Sequence, residues 1–119
     1  MKKNNLWNAN EVSSILDSKI HGFSEWVVNN VSIDSRTVKK GDLFIALKGP
    51  NYDGHNFLKD AFENGAIAAV VNKIPQSLEL QNFIKVKDTF KALNQLGIAG
   101  RERGDFNVIG ITGSVGKTT

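Results

Sequence analysis

The chain of 119 residues has no cysteine, only two prolines and no long apolar run. Without cysteine, neither a disulfide framework nor a thiolate metal site can form within it, which fits a reducing compartment. Its apolar stretches stay far below the roughly 20 residues that a membrane helix needs. The opening MKKNNLWNANEV is basic but lacks an apolar core segment, so a secretory signal is not expected. Charge of one sign is scarce as well. Fifteen basic against 12 acidic residues give a net charge of +3, and the lysines are spread from Lys2 to Lys117 with acids between them. No basic face stands out, so nucleic-acid binding is not expected. These absences lead to the expectation of a cytoplasmic monomer without membrane insertion.

What is present is an ordinary globular composition, 40% apolar and 23% charged. Asn8 and Glu11 stand at capping-box spacing, with Trp7 and Val12 at the flanking apolar positions, which predicts a short helix ending near residues 17–19. Val31-Ser32-Ile33-Asp34 alternates apolar and polar like a half-buried strand. Leu43 to Leu47 is continuously apolar, as in a strand buried on both faces. A loop over residues 48–54 precedes a helix over residues 55–64, with Phe57, Ala61 and Phe62 on its inner face and Gly65 as its stop. Strands follow at residues 67–71 and 83–86. Asp88 then caps a longer helix with Phe90, Leu93, Gly97 and Gly100 on one face, and residues 106–111 form a last strand. The alternation predicts an α/β fold: a small N-terminal unit over residues 1–84, then the first helix, strand and loop of a second unit over residues 85–119.

That last loop, Thr112-Gly113-Ser114-Val115-Gly116-Lys117-Thr118-Thr119, has the chemistry of a phosphate grip. Glycines let backbone N–H groups converge on anionic oxygens. Lys117 suits terminal phosphates and Thr118 suits Mg2+. The general pattern G-x-x-x-x-G-K-S/T is not met, because Ile111 stands where its first glycine belongs. The loop reads T-G-x-x-G-K-T-T instead.

TGSVGKTT, together with SIDSRTVKKGDLFIALKGPNYDGHNFLKDAFENGAIAAVV at residues 32–71, resembles the Mur ligases, the ATP-dependent amide-forming enzymes of peptidoglycan precursor synthesis. The resemblance implies a UDP-sugar-binding N-terminal domain, a central ATPase domain and a C-terminal domain, of which this sequence would hold the first and the entry to the second. Two members of the family share this plan, one adding the third amino acid of the peptide and one adding D-alanyl-D-alanine. ALKGPNYDGHNF and TGSVGKTT look more like the latter. The implied partners are UDP-N-acetylmuramoyl-tripeptide and D-alanyl-D-alanine, and the implied cofactors are ATP and Mg2+. Gly113, Ser114, Val115, Gly116, Lys117, Thr118 and Thr119 would hold ATP, with Thr118 on the metal. No catalytic residue is expected within these 119 residues, which alone are expected to be inactive.

The resemblance puts Ser35, Arg36, Lys48, Gly49, Asp53 and His55 in the UDP site. A Ser hydroxyl and an Arg fork suit a diphosphate, although Asp34 and Arg36 also read as a surface pair. Lys48 and Gly49 end a buried strand, where α/β folds bind ligands. Asp53 is first a helix cap. His55 lies near that helix start and reads equally as a structural residue. Tyr52 and Phe57 have the rings to stack on uracil, with Phe57 more readily placed in the core. Two other readings remain open: a non-catalytic nucleotide-sugar-binding module, and a fragment of an unrelated phosphate-loop NTPase.

Overall fold

In the computed structural model, residues 6–78 and 80–103 are described. Asn8 opens helix α1 (Ala9–Leu16). Its side chain accepts the Glu11 amide at 2.8 Å, and the Glu11 carboxylate accepts the Asn8 amide at 2.9 Å. Two donors that a helix start leaves free are thereby satisfied. Val12 and Leu16 are buried, and Asp17 ends the helix in the left-handed region at φ 50°. Trp7, also buried, lies in β1 (Trp7–Asn8), which pairs antiparallel with β3 (Val27–Val28).

The main sheet has five strands in the order β2 (Ile20–His21), β7 (Phe83–Lys85), β6 (Ala68–Val71), β5 (Asp42–Ile45) and β4 (Asn30–Ser32). The run from β7 to β4 is parallel, and β2 joins β7 antiparallel. Every residue of β5 and β6 is buried, as the unbroken apolar run from Leu43 implies. Successive side chains of a strand point to opposite faces. Leu43 and Ile45 accordingly pack with Val12, Leu16, Ala92, Leu93 and Leu96 of α1 and α3 (Thr89–Arg103). Phe44 and Ala46 pack on the other face with Leu58 and Ala61 of α2 (Leu58–Glu63). Phe62 meets Phe83 edge-on there, with ring centroids 5.5 Å apart. The result is a three-layer α/β arrangement with a core on each face of the sheet.

Some expectations are corrected. Ser32 does not alternate outward. It is fully buried, and its hydroxyl donates to the Asp34 carbonyl at 3.1 Å. The helix expected over residues 55–64 begins as a 3-10 turn, Gly54–Phe57, and becomes α-helical only at Leu58. Phe57 leaves the core as a consequence, because Leu58 and Ala61 supply the buried face. Phe90 is also outside the core. Asp88 caps α3 by accepting the Phe90 and Lys91 amides at 3.0 and 3.2 Å, and Ala92, Leu93 and Leu96 carry the buried stripe.

Gly65 stops α2 as expected, at φ +122°, and a Cβ there would stand 2.7 Å from the Lys40 backbone. Helix α3 shares its core with α1. The strand expected at residues 106–111 and the loop Gly113 to Thr119 lie outside the described residues. Among the described residues, no helix is long and apolar enough to cross a membrane.

Candidate functional site

A cavity of about 800 Å3 opens beyond the C-terminal ends of β4 and β5, the usual position for ligands in α/β folds and within the size range of small-molecule sites. Three segments build most of it, and Asp60 of α2 and Phe90 of α3 complete the lining. The first follows β4, where Asp34 caps the 3-10 turn Ser35–Thr37 by accepting the Arg36 amide at 2.9 Å. The second is the loop after β5. The third is the 3-10 turn that leads into α2.

Ser35 is buried and lines the cavity, its carbonyl fixed by the Asn64 side-chain amide at 2.8 Å. Arg36 lines it too, with its guanidinium laid along the Asp34 carboxylate at 3.0 and 2.8 Å. The side-chain hydrogen bonds from Arg36, aided by its amide and charge, hold the Asp34 carboxyl below the usual carboxylate range. The guanidinium side chain remains 85% exposed. An arginine has more N–H donors than one carboxylate can use, so part of the fork is free to meet another anion.

Gly49 borders the same space, and a Cβ there would touch nothing within 4 Å. Its amide donates to the Tyr52 carbonyl at 2.6 Å, which turns the loop so that Tyr52 also borders the cavity. The Tyr52 ring stacks on Phe57, and Phe90 from α3 completes an aromatic wall. Burial, together with the negative charge of Asp34, pushes the Tyr52 phenol up, so at neutral pH it is a protonated donor.

The other expected site residues stand elsewhere. Lys48 is exposed and pairs with Asp53 as an antiparallel bridge at the base of the loop. Asp53 acts as the cap, accepting the His55 amide at 3.0 Å. Burial pushes its carboxyl up, but the His55 amide and ring, with Lys48, more than offset this and hold it low. His55 does not border the cavity. Its Nδ1 lies 2.7 Å from Asp53 Oδ1, and its Nε2 is 3.1 Å from the Asn72 amide nitrogen. Ser35, Arg36 and Gly49 therefore meet at one cavity, while Lys48, Asp53 and His55 form the frame of its loop. Among the described residues, no group of His, Asp or Glu is arranged to hold a metal ion.

The profile of the Mur ligase family, catalytic domain, matches residues 27–101, more than half of the chain. The chain belongs to the Mur ligase family. Among curated Mur ligases, the UDP-N-acetylmuramoyl-tripeptide--D-alanyl-D-alanine ligase of Rickettsia prowazekii is 40% identical over 96% of this chain and 25% of its own length. The UDP-N-acetylmuramoyl-L-alanyl-D-glutamate--2,6-diaminopimelate ligase of Aquifex aeolicus is 47% identical over 77% of this chain and 19% of its own length. Among solved structures, a crystal structure of MurF from Acinetobacter baumannii superposes with a TM-score of 0.73 at 31% identity, over 82% of this chain and 21% of that one. MurF from Thermotoga maritima, solved in complex with ADP, superposes at 0.53 with 29% identity, over 62% of this chain and 17% of that one. The chain thus spans a quarter or less of the length of these Mur ligases. Both ligase types are represented among the relatives, so similarity alone leaves the member of the family open.

Phe57 and Phe90, which helical spacing places on buried helix faces, instead border the cavity. The signal available was chemical: Tyr52, Phe57 and Phe90 are all aromatic, and each sits at or just before the start of a helix.

Proposed function

We propose that this chain carries the uridine-nucleotide-binding unit of the Mur ligase that joins D-alanyl-D-alanine to UDP-N-acetylmuramoyl-tripeptide. The observation that carries this reading is the convergence of Ser35, Arg36 and Gly49 with an exposed aromatic wall on one cavity. The polar edge offers a hydroxyl, a guanidinium with unused donors and a glycine that leaves the backbone approachable, which suits a diphosphate. The aromatic edge suits a flat base. The match to a D-alanyl-D-alanine ligase over 96% of the chain supports that member of the family.

In the proposed reaction, the terminal phosphoryl group of ATP passes to the tripeptide carboxylate, giving an acyl phosphate and ADP, and the amine of D-alanyl-D-alanine attacks the acyl carbon to form the amide bond and release inorganic phosphate. Such chemistry depends on positioning and charge neutralisation. The residues proposed to hold ATP and Mg2+, Gly113 to Thr119 with Thr118 on the metal, lie outside the described residues. The described residues bind and orient: Ser35 and Arg36 hold the carrier end of the substrate, and Tyr52 and Phe57 fix its base. The boundary expected after residue 84 falls inside β7 (Phe83–Lys85), and α3 packs in one core with α1; we propose that α3 leads from this unit towards the ATP-binding one.

Calorimetric titration with UDP-N-acetylmuramoyl-tripeptide and, separately, with ATP tests the reading. Saturable binding of the UDP compound with little response to ATP is expected. Strong ATP binding with no response to the UDP compound would overturn it.

A further inference from the structure

We infer that His55 is a positioning residue that locks the loop over residues 48–53 against the sheet, and that it does so only as the neutral imidazole protonated at Nδ1. The inference rests on the reading of the cavity as the nucleotide site. The Asn72 amide is a donor and nothing else. Since it points at Nε2 from 3.1 Å, that nitrogen must be an unprotonated acceptor. The ring hydrogen is then on Nδ1, donated to Asp53 Oδ1 at 2.7 Å.

One side chain thereby ties the loop to the end of β6. Asp53 closes the loop base through its bridge to Lys48, and Asn72 follows the last residue of β6. Gly49 and Tyr52 hang between these anchors, and Phe57, which Tyr52 stacks on, belongs to the same 3-10 turn as His55. The imidazole side chain is only 14% exposed and so is held in place between its two partners, while Asn72 itself is exposed.

A second proton on the ring would set N–H against N–H at Asn72 and release that anchor. The charged group touching the ring is Asp53, with Lys48 across the loop base. Lys59 and Asp60 in α2, and Lys73 beyond Asn72, are exposed. Acidification should therefore loosen the loop and weaken nucleotide binding through His55.

The test compares the native chain with His55→Gln and His55→Ala. Binding of UDP-N-acetylmuramoyl-tripeptide is measured at about pH 7.5 and about pH 5.5. Protection of the Asn72 amide against hydrogen exchange is measured without ligand at both. The native chain is expected to lose about fivefold to tenfold in affinity in acid, the scale of one lost hydrogen bond. His55→Gln offers a carbonyl oxygen to Asn72 and does not titrate, so it should hold its affinity within about threefold across the span. His55→Ala should bind weakly at both values. Asn72 protection should fall in acid in the native chain and stay constant in His55→Gln.

An identical acid response in the native chain and His55→Gln overturns the inference, and so does native-like Asn72 protection in His55→Ala. If His55→Ala does not fold, the comparison with His55→Gln decides. If no variant binds the nucleotide while Asn72 protection follows the expected pattern, the site reading fails and the role of His55 stands.

Discussion

The ring of Tyr52 stacks on that of Phe57, with centroids 5.5 Å apart and planes within 12° of parallel. Both residues are substantially exposed, at 43% and 37%. A stack on the rim of a cavity contributes little to the core, and in the proposed site it holds the flat base. Tyr52→Ala is expected to weaken binding of UDP-N-acetylmuramoyl-tripeptide by about fivefold to tenfold, the scale of one lost aromatic contact. Its unfolding free energy should change by less than about 0.5 kcal/mol, as for surface substitutions generally. Calorimetric titration and urea denaturation measure the two effects. An equal loss in both would assign the stack to stability.

Gly54 sits against the end of β5. Its amide donates to the Leu47 carbonyl at 2.6 Å, and a Cβ there would come within 2.9 Å of both Ala46 Cα and Leu47 N. These are backbone atoms, which cannot turn aside like a side chain. Gly54→Ala should therefore destabilise the fold by about 1–3 kcal/mol, the range for forced overpacking, and displace the loop that carries Tyr52. A shift of the urea midpoint at constant slope is the expected result.

Much of the fold is legible because its causes are local. The capping box at Asn8 and Glu11 lies within one helical turn, and the two-sided burial of β5 is written in its unbroken apolar run. Gly65 ends α2 where the chain needs a positive φ. The site is less legible because its causes are distant. His55 is explained by Asn72, 17 residues away, and Ser35 by Asn64, 29 residues away. The two-residue strands β2 and β3 carry no period of their own, and pairing with distant strands defines them. Ser32 defeats alternation because its hydroxyl finds a carbonyl two residues on.

The cap itself is open to test. Asn8→Ala removes the acceptor for the Glu11 amide and should cost about 1 kcal/mol in thermal or urea unfolding. Asn8→Asp keeps the oxygen and should cost a few tenths at most.

Asp42 sets a pH dependence of known sign. It is almost fully buried and accepts the Lys39 amide at 2.9 Å. Burial pushes its carboxyl above the usual value, only partly opposed by Lys39. A raised carboxylate is penalised in the folded state once ionised, so Asp42 costs stability at neutral pH and the cost is relieved as pH falls through its folded value. Asp42→Asn keeps an oxygen for Lys39 without the charge. At neutral pH it should be as stable as the native chain or more so, and this advantage should shrink in acid. Urea unfolding at about pH 7 and about pH 4 shows the trend, the lower value lying in the carboxylate range.

The position of the nucleotide is tested most directly by amide chemical shifts of the chain during titration with UDP-N-acetylmuramoyl-tripeptide. The largest changes are expected at Ser35, Arg36, Gly49 and Tyr52, with little at Ile20 to Ser24 on the far edge of the sheet. Changes centred on that far edge, or none at saturating ligand, would contradict a uridine-nucleotide site at this cavity.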